Sequence, residues 1–169
     1  WSSDVCSSDL HENIDLRLNV TEKLMDVSHG EADIGIRCGQ GDWPGVNKTW
    51  MMDEEAVLVC SPHLVPSGKM ACSEWLATQK LIHDDTPHPG ANFPSWDDVL
   101  MAVGAPDALE SGLHINSTSA VILSALSGRG VAIVRYALVK KLIETGQLAQ
   151  LHPDHRWPLR RSEERRVGK

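Results

Sequence analysis

Basic charge is scarce in this chain. Sixteen Lys and Arg stand against 23 Asp and Glu, a formal net charge of -7, so no field is available to attract phosphate backbones. By itself the chain is expected to bind no duplex DNA. Long apolar runs are also missing. No stretch approaches the roughly 20 residues that a membrane-spanning helix needs, and the opening residues have no basic-then-apolar leader pattern, so the chain reads as cytoplasmic with no membrane partner. Cysteine is sparse and unpatterned: Cys6, Cys38, Cys60 and Cys72 form no CxxC pair and no metal-finger spacing, which argues against a disulfide framework or a zinc ribbon. Tyr and Phe occur once each, against six tryptophans.

Chemistry-bearing constellations are equally thin. An enzyme needs a convergent nucleophile, base and orienting group, or a set of metal ligands. Cys60 closes an apolar run and reads as a buried hydrophobe. In His152-Pro153-Asp154-His155 two imidazoles lie close in sequence, but Pro153 separates them and no thiol or carboxylate pattern completes a metal site. The loop Cys38 to Gly45 holds three glycines, yet Pro44 and Gly45 stop the helix that a dinucleotide fingerprint requires. The expectation is a protein without catalysis, metal or cofactor.

What is present is ordinary globular composition, 41% hydrophobic and 23% charged, over 169 residues, enough for one domain or two small lobes. The two ends stand apart. Residues 1–10 carry no sustained apolar period, and residues 161–169 have a single apolar residue, Val167. Both resemble translated short-read sequencing adapters, and both are expected to be foreign and to pack on nothing. The authentic segment then runs from about His11 to Arg160.

Within it, Ile14, Leu16 and Leu18 alternate with polar residues as in a half-buried strand, Thr21 stands at a helix start with Leu24, Met25 and Val27 behind it, and Asp33 to Ile36 follows as a second strand. That opening predicts a parallel strand-helix-strand unit. Ala56 to Cys60 reads as a strand buried on both faces, closed by Ser61-Pro62. Further on come a helix from Ser73 to Thr78, a strand at Leu81 to His83, a capping box Ser95/Asp98 opening a helix that Gly104 ends, and a strand at Leu113 to Asn116. A helix from Ser117 follows, then strand Val131 to Val134, a helix Leu138 to Ile143, and a short strand Leu148 to Leu151. Alternating strands and helices predict an α/β protein.

Three blocks, in order, carry a family resemblance. Glu31 to Gly45 (EADIGIRCGQGDWPG), Val59 to Leu64 (VCSPHL) and Ser117 to Arg135, a helix followed by GRGVAIVR, resemble the effector-binding, or substrate-binding, domain of LysR-type transcriptional regulators, in particular the branch like the glycine-cleavage activator. Cys38 stands where that branch usually has Tyr. The resemblance covers about Ile14 to Leu151 and implies a two-lobe fold of the type 2 periplasmic-binding-protein kind, with lobe I truncated. Lobe I would comprise about 11–54 and 149–160, and lobe II 55–148. It further implies a fragment, with a DNA-binding winged helix-turn-helix missing upstream, a homo-oligomer when full length, and a small-molecule effector between the lobes.

Ligands in open α/β sheets sit beyond the carboxyl ends of strands, where helix N-termini present spare N–H groups. Six residues occupy such places. Thr21 is either a ligand contact or a bare helix cap, and Ser117 and Thr118 hold the matching position in lobe II. His83 and Asp84 follow a strand and are expected to face the same cleft, or else to be a loop histidine and a turn aspartate. Arg37 could clamp an anionic ligand or bond the neighbouring glycine loop. These donors predict an anionic effector. The alternative within the same fold is a solute-binding protein that feeds a transporter.

Overall fold

The computed structural model describes residues 15, 17–19, 32–38, 46–66, 73–86, 92–106 and 112–167. Among them the elements run β1 (Ile34–Cys38), β2 (Val46–Cys60), α1 (Ser73–Leu76), β3 (Leu81–Asp84), α2 (Trp96–Ala102), β4 (Gly112–Ile115), α3 (Thr118–Leu126), β5 (Val131–Arg135), α4 (Tyr136–Glu144), β6 (Ala149–Leu151) and β7 (Trp157–Val167). The strands form one sheet in the order β1-β7-β2-β5-β3-β4, with β6 also paired to β2.

The second half of β2 is the spine of the core. Ala56 to Cys60 are all fully buried. Because side chains alternate across a strand, Ala56, Leu58 and Cys60 enter one apolar cluster, with Leu76, Val99 and Leu100, while Val57 and Val59 enter another, with Val121, Ala125 and Val139. β5 divides in the same way, Val131 and Ile133 joining the first cluster and Ala132 and Val134 the second. So does β3, with Leu81 in the first and Ile82 in the second. An uninterrupted apolar run is therefore the pattern this strand needs, with α1 and α2 covering one face and α3 and α4 the other. Each large side chain so buried contributes roughly 1.5–3 kcal/mol.

The sheet is mixed. β3 pairs parallel with both β4 and β5, whereas β2 pairs antiparallel with β5, β6 and β7. α2 begins as its sequence signals: the Asp98 N–H donates to Ser95 Oγ at 3.1 Å, and the Ser95 N–H donates back to Asp98 Oδ2 at 3.2 Å. Ser95→Ala removes one of these reciprocal bonds and is expected to cost about 1 kcal/mol, read as a shift in the urea unfolding midpoint.

Three expectations are corrected. The strand predicted from the alternation of Ile14, Leu16 and Leu18 is not formed where it is described: Asp15, Arg17, Leu18 and Asn19 have no regular structure, and Leu18 is 80% exposed. Alternation shows which face a strand would bury, but a strand also needs a ladder partner. β1 takes its ladder from β7, and antiparallel, so the predicted parallel opening unit is replaced by a pairing distant in sequence. Thr21 and the helix predicted behind it, the glycine loop from residue 39 to 45 and the head, residues 1–10, lie outside the described residues.

The third correction concerns the tail. β7 continues to Val167, with Ser162 to Arg166 paired to β1 and Glu163 to Val167 paired to β2. Residues 162–167 therefore do pack on the sheet. Ladder bonds are made by backbone N–H and C=O groups, which every non-proline residue carries, so a lack of apolar residues does not prevent the pairing.

Candidate functional site

β3 and β4 run parallel with His83 opposite His114 and Asp84 opposite Ile115, so their carboxyl ends open on the same edge of the sheet. The Asp85 N–H donates to the Ile115 carbonyl at 2.7 Å and ties the two ends together. α3 begins directly after β4, and its N-terminus points at the same edge. This is the position at which an open α/β sheet presents a ligand site.

On the α3 face, Thr118 Oγ1 donates to Asp84 Oδ2 at 2.8 Å, and Asp84 Oδ1 accepts the Thr86 N–H at 3.0 Å. The carboxylate thus locks the turn after β3 onto the first turn of α3. Ser117 is the N-cap residue, with extended backbone and an exposed side chain that makes no capping bond. The helical ladder starts only with Val121 N–H to Ser117 C=O at 3.0 Å, so the amides of Thr118, Ser119 and Ala120 belong to the orphan set that every helix start carries.

On the other face, the rings of His83 and His114 stack with centroids 4.2 Å apart and planes 8° from parallel. Trp96 of α2 meets His83 edge-on at 6.2 Å, and its Nε1–H donates to the Ile82 carbonyl at 3.3 Å. His114 Nδ1 lies 3.3 Å from Asp85 Oδ1, in an exposed pair. His83, Trp96, Asp97 and His114 line a pocket of about 250 Å³.

The structure therefore brings Asp84 and Thr118 into contact and places Ser117 beside them, but it separates His83 from Asp84. The expectation that these two share a cleft fails on strand alternation: His83 continues the side of Leu81 and contacts α2, while Asp84 continues the side of Ile82 and contacts α3. Arg37 lies inside β1, its backbone opposite Glu163, and its side chain is outside what is described. Thr21 is outside as well. Sequence reasoning passed over Trp96, Asp97, Asp85 and His114 as site residues. In the strands the sequence predicts, His83 is third and His114 second, so no matching position announced their stacking, and parallel register is not written in either strand alone.

Elsewhere, burial pushes the Cys60 thiol up to about 11, leaving almost no thiolate near neutrality. His152 is held below the ordinary histidine range by burial and then by the nearby His155, whose ring lies 6.0 Å away. Among the described residues no group of three or more His, Cys, Asp or Glu is arranged to hold a metal ion, and no helix is long and apolar enough to cross a membrane.

The LysR substrate binding domain family matches residues 8–162, and the chain belongs to that family. It is 27% identical over 140 residues to the glycine cleavage system transcriptional activator of Escherichia coli (strain K12), covering 82% of this chain and 44% of that protein. It is 26% identical over 140 residues to the HTH-type transcriptional activator AmpR of Rhodobacter capsulatus, covering 83% and 46%. The chain thus spans less than half the length of these relatives. Among solved structures it is similar to the effector domain of AmpR from Pseudomonas aeruginosa, with a TM-score of 0.71 at 20% identity over 96% of this chain and 76% of that one. The regulatory domain of CrgA from Neisseria meningitidis gives a TM-score of 0.69 at 20% identity over 96% and 78%. The fold is that of LysR regulatory domains, a type 2 periplasmic-binding-protein-like α/β fold.

Proposed function

We propose that this chain is the sensing part of a LysR-type transcriptional activator or repressor. A small effector bound at the carboxyl ends of β3 and β4 would control DNA binding performed elsewhere in a full-length homo-oligomer. The family match carries this reading, and the relatives, named as transcriptional activators, favour it over solute delivery to a transporter.

The effector proposed is a small anionic metabolite held by the first-turn amides of α3 together with Ser117, Arg37 and Thr21. A threonine hydroxyl has one proton to donate, and Thr118 gives it to Asp84. Its contribution is then to hold the Asp84 carboxylate away from the anion while its own amide faces the ligand. Thr118→Val should release Asp84 and weaken the effector by about 1–2 kcal/mol, and Arg37→Ala, by removing a charge-assisted bond, by about 1–3 kcal/mol. Calorimetry on the full-length protein with its effector checks both. Unchanged affinity in both variants, with circular dichroism intact, would leave these residues as caps and loop anchors only.

A further inference from the structure

We propose that the pocket on the α2 face, lined by His83, Trp96, Asp97 and His114, is a binding site for a small organic cation, an alkylammonium or guanidinium group. It lies on the opposite face of the sheet from Asp84 and Thr118, so it does not depend on the effector reading above. Its walls are aromatic. The stacked His83 and His114 rings form one side, and Trp96 forms another, its orientation fixed by the Nε1–H bond to the Ile82 carbonyl at 3.3 Å. An indole face carries negative electrostatic potential and attracts cations.

The charge in the pocket has the same sign. Asp97 has no ion-pair or hydrogen-bond partner among the described residues, and the capping of α2 is done by Asp98 with Ser95, which leaves Asp97 without that structural duty. Asp85 lies outside the lining, its Oδ1 3.3 Å from His114 Nδ1, so its carboxylate is engaged by that ring. Among the described residues no Lys or Arg lines the pocket, and Asp97 is the one carboxylate that does, so the fixed charge there favours a cation. The depression, about 250 Å³ and open on one side, has room for a short alkyl chain with a charged head. The bland explanation of Asp97, a first-turn acid that complements the helix dipole, accounts for its position but not for its place in the lining of an aromatic pocket.

The experiment uses the whole chain and three probes of equal length: n-butylammonium, n-butanol and butyrate. Two-dimensional NMR follows the Trp96 indole N–H and the His114 ring. The ammonium probe should shift both saturably at roughly millimolar concentration, and Asp97→Asn should weaken it about tenfold, with Glu74→Gln as an unaffected surface control. Equal shifts from butanol would make the pocket a merely apolar crevice and overturn the proposal. So would a stronger response to butyrate, no response to any probe, or an Asp97→Asn variant that binds the ammonium unchanged.

Discussion

Gly112→Ala is expected to destabilise the domain by about 3 kcal/mol, at the upper end of what overpacking costs. An ideal Cβ at this position would sit 1.9 Å from the Leu81 carbonyl oxygen and 2.8 Å from its carbon, both backbone atoms that no rotamer change can move. The only relief is to push β4 away from β3. That would disturb the register that sets His83 against His114 and ties Asp85 to Ile115. Urea unfolding would show the loss as a lower midpoint at unchanged slope, and the ring signals of His83 and His114 should move with it. Gly146 offers the contrast. Its φ is +70° and nothing lies within 4 Å of an added Cβ, so Gly146→Ala meets only the left-handed backbone penalty, roughly 1 kcal/mol. If the two variants cost the same, crowding between β3 and β4 is not what reserves position 112 for glycine.

The elements legible in the sequence were those whose signal is local. The apolar run Ala56 to Cys60, the Ser95/Asp98 capping box and the helix-ending Gly104, at positive φ, each specify their own conformation within a few residues. What escaped was non-local. Nothing between Val46 and Glu55 alternates cleanly enough to announce that β2 is 15 residues long, and its register shifts between Trp50 and Met52 and between Met52 and Glu54 disturb the period further. β7 was invisible because, beyond Trp157 and Leu159, which reach the core, it is held by backbone pairing to β1 and β2, residues more than a hundred positions away.

The site divides along the same line. Ser117 and Thr118 were named as candidates because a helix start has a composition, and Asp84 because it follows a strand. That Thr118 would spend its proton on Asp84, 34 residues away, depends on β3 and α3 meeting across the sheet, which no local pattern encodes. His83 was expected to share a cleft with Asp84, although the alternation of Leu81 and Ile82 into opposite cores puts the two on opposite faces once the strand is known to be covered on both sides. The aromatic pocket needed three things at once: the β3–β4 register, the packing of α2, and the Trp96 orientation.

Arg135→Met is expected to cost about 3 kcal/mol, because it strips a charged partner from a carboxylate that is mostly out of water. Arg135 ends β5 and reaches Glu54 of β2, and the two side chains are only 15% and 11% exposed. Phe93 lies under the guanidinium, 5.9 Å from ring centre to Cζ, further excluding solvent. A neighbouring pair tests whether burial is the cause. Arg156 bonds Glu55, the next residue of β2, at 2.8 Å, but both side chains are 38% exposed, and such a pair contributes no more than about 1 kcal/mol. Arg156 also lies over the Tyr136 ring at 4.5 Å, a contact of similar small size at an exposed site. Arg156→Met should therefore move the urea midpoint far less than Arg135→Met. Adding Glu54→Gln to Arg135→Met should recover part of the loss, since the penalty comes from the stranded charge and not from the missing attraction alone. Equal effects from the two arginine variants, or no recovery in the double variant, would mean that Arg135 stabilises the domain through its packing on Phe93 and not through Glu54.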